Sequence, residues 1–377
     1  MAEAETTEHD VGPIELTGIA HGGMAVGRLD GRVVFVRGGI PGERVRVRIT
    51  DASHSSFWRG EVVSVEVASP ERVKPPCPIA GECGGCDLQH VAEAAQLEWK
   101  RQVVADLLKR FAGITWKGEV HSVGPHLGWR TRMRYHRGES GLGLRAARSH
   151  RVVPLPEQGC LLAHPKGRGL ESSSDRDTVR VTVGDGVVAL DGTPQEVSQV
   201  VRGRRFTVPS LGFWQVHPGA ASTLVGEVMA GLVPRPGQVA LDLFCGVGLF
   251  AGFLADAGAH VVGIEGDARA VAHARRNVPT AVFHRGDVSR VLGRIKPQAD
   301  LVVLDPPRSG VGRRGVTSIA ATSPARIVYV SCDPATLSRD LLMFSQHGYQ
   351  TRQLRAFDLF PMTHHVECVA ILGPRSE

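Results

Sequence analysis

The chain has 377 residues, of which 42% are hydrophobic and 22% charged, with a formal net charge of +6 and an isoelectric point near 9.1. That length allows two or three domains with substantial cores, and no uninterrupted apolar run approaches the ~20 residues a bilayer-spanning helix needs. The opening MAEAETTEHD is acidic and carries no apolar stretch, so the expectation is a flexible N-terminus over residues 1–13, no membrane partner and a cytoplasmic protein, with enough positive charge to permit a polyanionic partner.

Residues 14–68 alternate apolar and polar side chains in runs such as GRVVFVRG and ERVRVRIT, separated by Gly and Pro turns such as GGIPGE. That pattern predicts a small all-β barrel. Between residues 28 and 48, Arg28, Arg32, Arg37, Arg44, Arg46 and Arg48 outnumber Asp30 and Glu43, which suits either a phosphate-facing side or a solvated strand face. The region resembles a TRAM domain, an RNA-binding barrel of the oligonucleotide-binding type.

A central α+β segment, 69–205, opens on PCPIAGECGGCDLQH, which holds Cys77, Cys83 and Cys86. In a reducing compartment an odd, clustered set of thiols points to metal binding or catalysis rather than disulfides. Zinc and an iron–sulfur cluster would each want a fourth ligand. A helix follows in AEAAQLEWKRQVVADLLKRF, whose apolar residues recur every three or four positions. In WRTRMRYHRG, alternation along a strand puts Arg130, Arg132 and Arg134 on one face, and Arg130 to Arg151 holds seven arginines against one acid, Glu139. This reads as a phosphate-facing strip or as an ordinary charged surface. ESSSDRD reads as a loop.

From residue 206 to 377, VALDLF, HVVGIE, AVFHRG, DLVVLD and RIVYVS are short apolar runs, each followed by a helix-compatible segment. That order predicts an α/β, Rossmann-like domain whose parallel sheet binds ligands at its carboxyl edge. The first run leads into LDLFCGVGLF, where Gly246 and Gly248 let the backbone approach a ligand. The second ends in Glu265, placed to accept from both ribose hydroxyls of a nucleoside. Asp287 suits either an adenine amino group or a helix N-cap. The fourth run ends in LDPPRSG, where two prolines stiffen the backbone beside Asp305. Amino-group methyltransferases of nucleic-acid bases use a related Asp-Pro-Pro followed by an aromatic, whereas Arg308 follows here. Cys332 ends the fifth run, and a helix opening at Asp333-Pro334 together with nearby arginines is expected to favour its thiolate. Cys245 and Cys368 read as packing residues.

DPPRSG, YVSCDP, DLFPMTHHVE and FWQVH together resemble the RNA uracil-5-methyltransferase family, over nearly the whole chain. The resemblance implies an S-adenosylmethionine-dependent enzyme acting on ribosomal or transfer RNA, read here as a monomer, with Cys332 as nucleophile, Glu367 as general base and Asp305 in the active site. It also implies that Gln215, Phe244 and Glu265 contact the cofactor and that Phe213 lies near the target base. In the ribosomal branch, C-x5-C-x2-C with one distant cysteine binds a [4Fe–4S] cluster, which implies Cys77, Cys83, Cys86 and Cys160 as its ligands. Two positions depart from the family pattern: His217 stands where Asn is usual, and Leu249 where a polar residue is frequent.

Overall fold

The computed structural model describes residues 10–169 and 176–375. Residues 1–9 of the expected flexible terminus and 171–175 of the expected ESSSDRD loop lie outside them. In chain order come strands β1 (Asp10–Ala20), β2 (Met24–Leu29), β3 (Arg32–Arg37), β4 (Arg44–Asp51) and β5 (Phe57–Val67), then helix α1 (Glu93–Leu107) with a π turn at Leu108–Ala112. Next are β6 (Val120–Ser122), β7 (Arg132–Gly138), β8 (Gly141–Arg145), β9 (Val152–Pro154), β10 (Thr178–Val183), β11 (Val188–Leu190), β12 (Glu196–Val201) and β13 (Arg204–Pro209). The alternating region follows as α2 (Ala220–Leu232), β14 (Val239–Leu243), α3 (Leu249–Asp256), β15 (His260–Glu265), α4 (Ala268–Asn277) and β16 (Val282–Arg285). It continues through α5 (Val288–Ile295), β17 (Leu301–Leu304), α6 (Gly312–Ala320), β18 (Arg326–Ser331), α7 (Pro334–Gln346), β19 (Tyr349–Asp358) and β20 (Glu367–Pro374). Two compact units emerge: 10–103 with 138–157 and 360–365, and 104–137 with 158–359 and 366–375. Segment 69–205 contributes to both.

In the first unit, β1 to β5 close into a barrel in the order β1-β2-β3-β5-β4. Strict alternation along β4 buries Val45, Val47 and Ile49 with Ile14, Leu16, Val34 and Val36 and turns Arg44, Arg46 and Arg48 outward. Those arginines are partly committed: Arg44 and Arg46 pair with Glu66, and Arg48 with Asp10. The Asp10–Arg48 pair, with Val11 opposite Val47, starts β1 at Asp10, inside the stretch expected to be flexible. One buried carboxylate ties the barrel to the chain that leaves it. Glu43 is fully buried, and both of its oxygens accept from Arg72 at 2.6 Å. It also accepts from the backbone N–H groups of Ile40 and Ser69. Burial alone would raise its pKa, but the Arg72 fork and these N–H groups outweigh it and hold the carboxyl below its ordinary value.

In the second unit, one eight-stranded sheet runs β16-β15-β14-β17-β18-β20-β19-β6. The five strands read from the sequence are parallel, and β20 joins β18 antiparallel. β14 and β17 are covered on both faces, so their sequences, Asp242 apart, are apolar without alternation. The strand order reverses between β14 and β17. That crevice at the carboxyl ends is where open α/β sheets bind ligands.

Removing the buried anion leaves Arg72 and two amides without their acceptor, so Glu43→Ala should lower unfolding free energy by about 3–5 kcal/mol in urea titration at pH 7. Because the folded carboxyl is the stronger acid, the Glu43 contribution is present above the unfolded pKa and fades as pH falls through the folded one. The wild-type and Glu43→Ala curves should therefore converge in acid, and a gap that widens there would contradict this assignment.

Candidate active site

The loop after β14 carries the first group of predicted residues. Phe244 sits at φ 62° and Gly246 at φ 54°, a left-handed turn that costs the phenylalanine about 1–3 kcal/mol. A Cβ placed on Gly246 would meet nothing within 4 Å, so the loop faces open space, and Gly248 at φ 86° caps α3. Glu265, at the end of β15, holds this turn open: its carboxylate accepts from Gly246 N–H at 3.0 Å and from Asp267 N–H at 2.8 Å. Asp287 is an exposed N-cap, accepting from Arg290 N–H at 3.0 Å, which favours the capping alternative. Leu249 is buried at the start of α3, so the position is filled by packing.

The second group gathers across β17, β18 and β20. Asp305 follows β17, with its N–H on Leu243 O, and accepts from the Gln215 amide at 3.4 Å. Cys332 follows β18 and is half-buried, while Glu367 opens β20 with 3% of its surface exposed. Ser331 pairs with Cys368 across the antiparallel ladder, so one further step brings Cys332 opposite Glu367. Asp333 caps α7, accepting from Ala335 and Thr336 N–H groups, which fixes the turn carrying the thiol. Phe213 is 72% exposed on the loop that holds Gln215, while Trp214 beside it is buried.

Burial raises the pKa of Asp305, Cys332 and Glu367 alike. Burial, then the Asp305 charge, pushes Glu367 well above the carboxylate range, and burial raises Asp305. Burial also pushes the Cys332 thiol up to about 12, with Glu367, Asp305 and Asp333 adding to the rise and Arg308 opposing it. This corrects the expectation that the helix start and arginines favour the thiolate: three carboxylates outnumber one guanidinium. Cys245 and Cys368 are buried, as read from the sequence.

Sequence reasoning missed two carboxylates. Asp242 on β14 is 1% exposed, accepts from Ala251 N–H at 2.7 Å and leaves Oδ1 without a partner. Burial, with the Asp305 and Glu265 charges opposing the help of Ala251, pushes it up to about 8. An acid inside the apolar run VALDLF was the available signal. Asp340 on α7 is buried and accepts from Val311 N–H at 2.6 Å, Gly312 N–H at 3.1 Å and Tyr329 hydroxyl at 2.7 Å. It thereby pins the loop that leaves Asp305 to the strand that delivers Cys332. His217 is also structural. It is 2% exposed, its Nδ1 accepts from Gly219 N–H at 3.1 Å, and its ring lies 5.9 Å from that of Trp129. Burial lowers its pKa, partly opposed by Asp358.

The predicted metal ligands lie elsewhere. In the first unit, Cys77, Cys83 and Cys86 share one loop, where Gln89 accepts from Cys77 N–H at 3.1 Å and donates to Cys86 Sγ at 3.0 Å. Gly85 N–H donates to Cys83 Sγ at 3.4 Å. In the second unit, Cys160 is buried in the field felt by Tyr135, whose buried hydroxyl has no hydrogen-bond partner among the described residues. Among the described residues, no three His, Cys, Asp or Glu side chains are gathered closely enough to hold a metal ion.

Comparison with known proteins bears on this arrangement. A family model described as tRNA (Uracil-5-)-methyltransferase matches residues 290–375, which include Asp305, Cys332 and Glu367, and a TRAM domain model matches 6–67. An uncharacterized RNA methyltransferase of Streptomyces avermitilis is 42% identical, covering 99% of both chains. The 23S rRNA (uracil(1939)-C(5))-methyltransferase RlmD of Shewanella sp. W3-18-1 is 30% identical, covering 93% of both. The chain belongs to the RNA uracil-5-methyltransferase family. Members of this family use S-adenosylmethionine. The crystal structure of the Pyrococcus abyssi tRNA (uracil-54, C5)-methyltransferase in complex with S-adenosyl-L-homocysteine superposes with a TM-score of 0.74 at 25% identity, over 96% of this chain and 99% of that one. The β1–β5 barrel is thus a TRAM domain, and the second unit carries a methyltransferase fold. No helix among the described residues is long and apolar enough to cross a membrane.

A thiol with so high a pKa should react with iodoacetamide about tenfold faster for each pH unit gained between 7 and 10. Glu367→Gln removes one source of the shift and should speed labelling, increasingly so toward high pH. Peptide mass spectrometry reads both, and a pH-flat rate would mean that Cys332 is already ionised.

Proposed function

We propose that the chain methylates C5 of a uridine in ribosomal RNA through a transient bond between Cys332 and uracil C6. The convergence of Cys332, Glu367 and Asp305 at neighbouring strand ends carries this reading. Uracil C5 is a weak carbon nucleophile. Addition of the Cys332 sulfur to C6, its proton passing to solvent water, makes an enolate whose C5 is electron-rich. S-adenosylmethionine supplies the electrophilic methyl group when bound. The open turn at Phe244, Gly246 and Gly248 and the carboxylate of Glu265 fit it, with Gln215, Asp305 and Asp287 around the same edge.

After methyl transfer C5 still bears its original proton. Glu367 takes that proton as a carboxylate, the C5–C6 double bond re-forms and the sulfur leaves. A raised pKa suits Glu367, because a more basic carboxylate is the better proton acceptor once ionised. A uridine in folded RNA must leave its stack to reach this edge, and the exposed Phe213 ring offers it a face. Ribosomal RNA is favoured over transfer RNA by the full-length identity to the RlmD relative, while the archaeal structure supports the second choice.

We also assign a [4Fe–4S] cluster to Cys77, Cys83, Cys86 and Cys160, with a structural role. N–H···S bonds on Cys83 and Cys86 and the orphaned Tyr135 hydroxyl beside Cys160 suit thiolate ligands. No step of the proposed reaction needs it.

RNA carrying 5-fluorouridine should trap a denaturation-resistant adduct with the wild-type protein and none with Cys332→Ala. Glu367→Gln should instead accumulate an adduct on ordinary uridine RNA, stalled after methyl transfer. An adduct that persists in Cys332→Ala would overturn the mechanism. Mapping 5-methyluridine in ribosomal and transfer RNA of cells with and without the protein decides the substrate. Protein purified without oxygen should contain iron and acid-labile sulfide in equal amounts, both lost in Cys83→Ser, and zinc in their place would refute the cluster.

A further inference from the structure

The arginine strip read from WRTRMRYHRG does not act as one surface. Arg134 is exposed, but Arg132 turns inward and spends its guanidinium on backbone carbonyls. Its Nη1 donates to Ser210 O at 3.1 Å and to Gly212 O, and its Nη2 donates to Pro209 O at 3.4 Å. Thr131, immediately before it, binds the other side of the same loop: its N–H and its hydroxyl both donate to Val216 O at 2.9 Å. Register with β10 sets Thr182 opposite Arg132, and the Thr182 hydroxyl adds a second hold on Ser210 O at 2.7 Å.

Two consecutive residues thus grip both ends of the segment 209–216. Between the grips lie Phe213, Trp214 and Gln215. Phe213 is held out to solvent, Trp214 is buried with its ring 5.8 Å from that of Phe206, and Gln215 reaches Asp305. A guanidinium is the side chain best suited to this task, because its rigid fork meets several carbonyls at once where a lysine ammonium offers a single point. Burial lowers its pKa to about 10, which leaves it charged at neutral pH.

We propose that Arg132, with Thr131, is a positioning residue for methyl transfer, setting Phe213 and Gln215 at the height where the target uracil meets Asp305. It acts through the loop backbone and not on RNA phosphate. The proposal rests on the uracil-methylating reading above. A loop freed by a fraction of an ångström should slow the chemical step while leaving RNA capture largely intact, since misplacement of that size costs up to about a hundredfold.

The test is single-turnover methyl transfer to substrate RNA at saturating protein and S-adenosylmethionine, with hydrogen exchange of the same proteins. Arg132→Met should lower the rate between about tenfold and a hundredfold, with faster exchange confined to 210–217 and an unchanged salt dependence of RNA binding. Arg132→Lys should recover part of the rate. Should Arg132→Met fail to fold, Thr131→Val, which removes only one hydroxyl, should give a smaller loss of the same pattern. An unchanged rate in the folded variants overturns the proposal. So does weaker RNA binding with a salt slope flattened by about one and a wild-type rate at saturation, the mark of a phosphate contact. If the wild-type protein forms no adduct with fluorinated RNA, the functional reading fails. The exchange experiment then still decides whether Arg132 holds the loop.

Discussion

Three groups that all prefer to keep their protons meet at one edge of one sheet. Asp305, Cys332 and Glu367 are delivered by three adjacent strands, two of them parallel and the third reversed. Burial makes each a weaker acid, the Asp305 charge adds to the rise of Glu367, and both carboxylates add to that of Cys332. The remaining features of the site serve that arrangement: proline-stiffened backbone beside the aspartate, an N-capped helix behind the thiol, and a ladder that aims the glutamate. Burial disfavours the charged form of every member. That suits the proposed reaction, in which a proton leaves sulfur first and carbon later.

Much of this was legible in the sequence because period and punctuation agreed. Alternation in RVRVRIT gave the barrel, and the five apolar runs gave the parallel sheet together with the ends where ligands gather. The turn at Gly246 and the carboxylate of Glu265 could be paired because strand order brings their ends together. What escaped was three-dimensional bookkeeping of charge. The ionisation state of Cys332 depends on which carboxylates the register brings near it, and Glu367 lies 35 residues away in a stretch that reads as an ordinary strand. Asp340 sits in the middle of a helix with nothing in its neighbours to show that two amides and a phenol converge on it.

Arg132 shows the opposite failure. Spacing correctly assigned it to one face of a strand, but a face says nothing about what approaches it, and here main-chain carbonyls arrived instead of solvent. His217 was conspicuous as a departure from its family, yet its Nδ1 accepts from the Gly219 amide within its own turn. A family pattern marks a position as occupied; only packing tells what occupies it and for which purpose.

The carboxylate of Asp340 has a mechanical consequence. By gripping the Val311–Gly312 amides with one hand and the Tyr329 phenol with the other, it makes the tail of one catalytic strand and the shaft of its neighbour a single rigid piece. Warming or compression then carries aspartate and thiol along together, keeping the spacing on which the proposed chemistry relies.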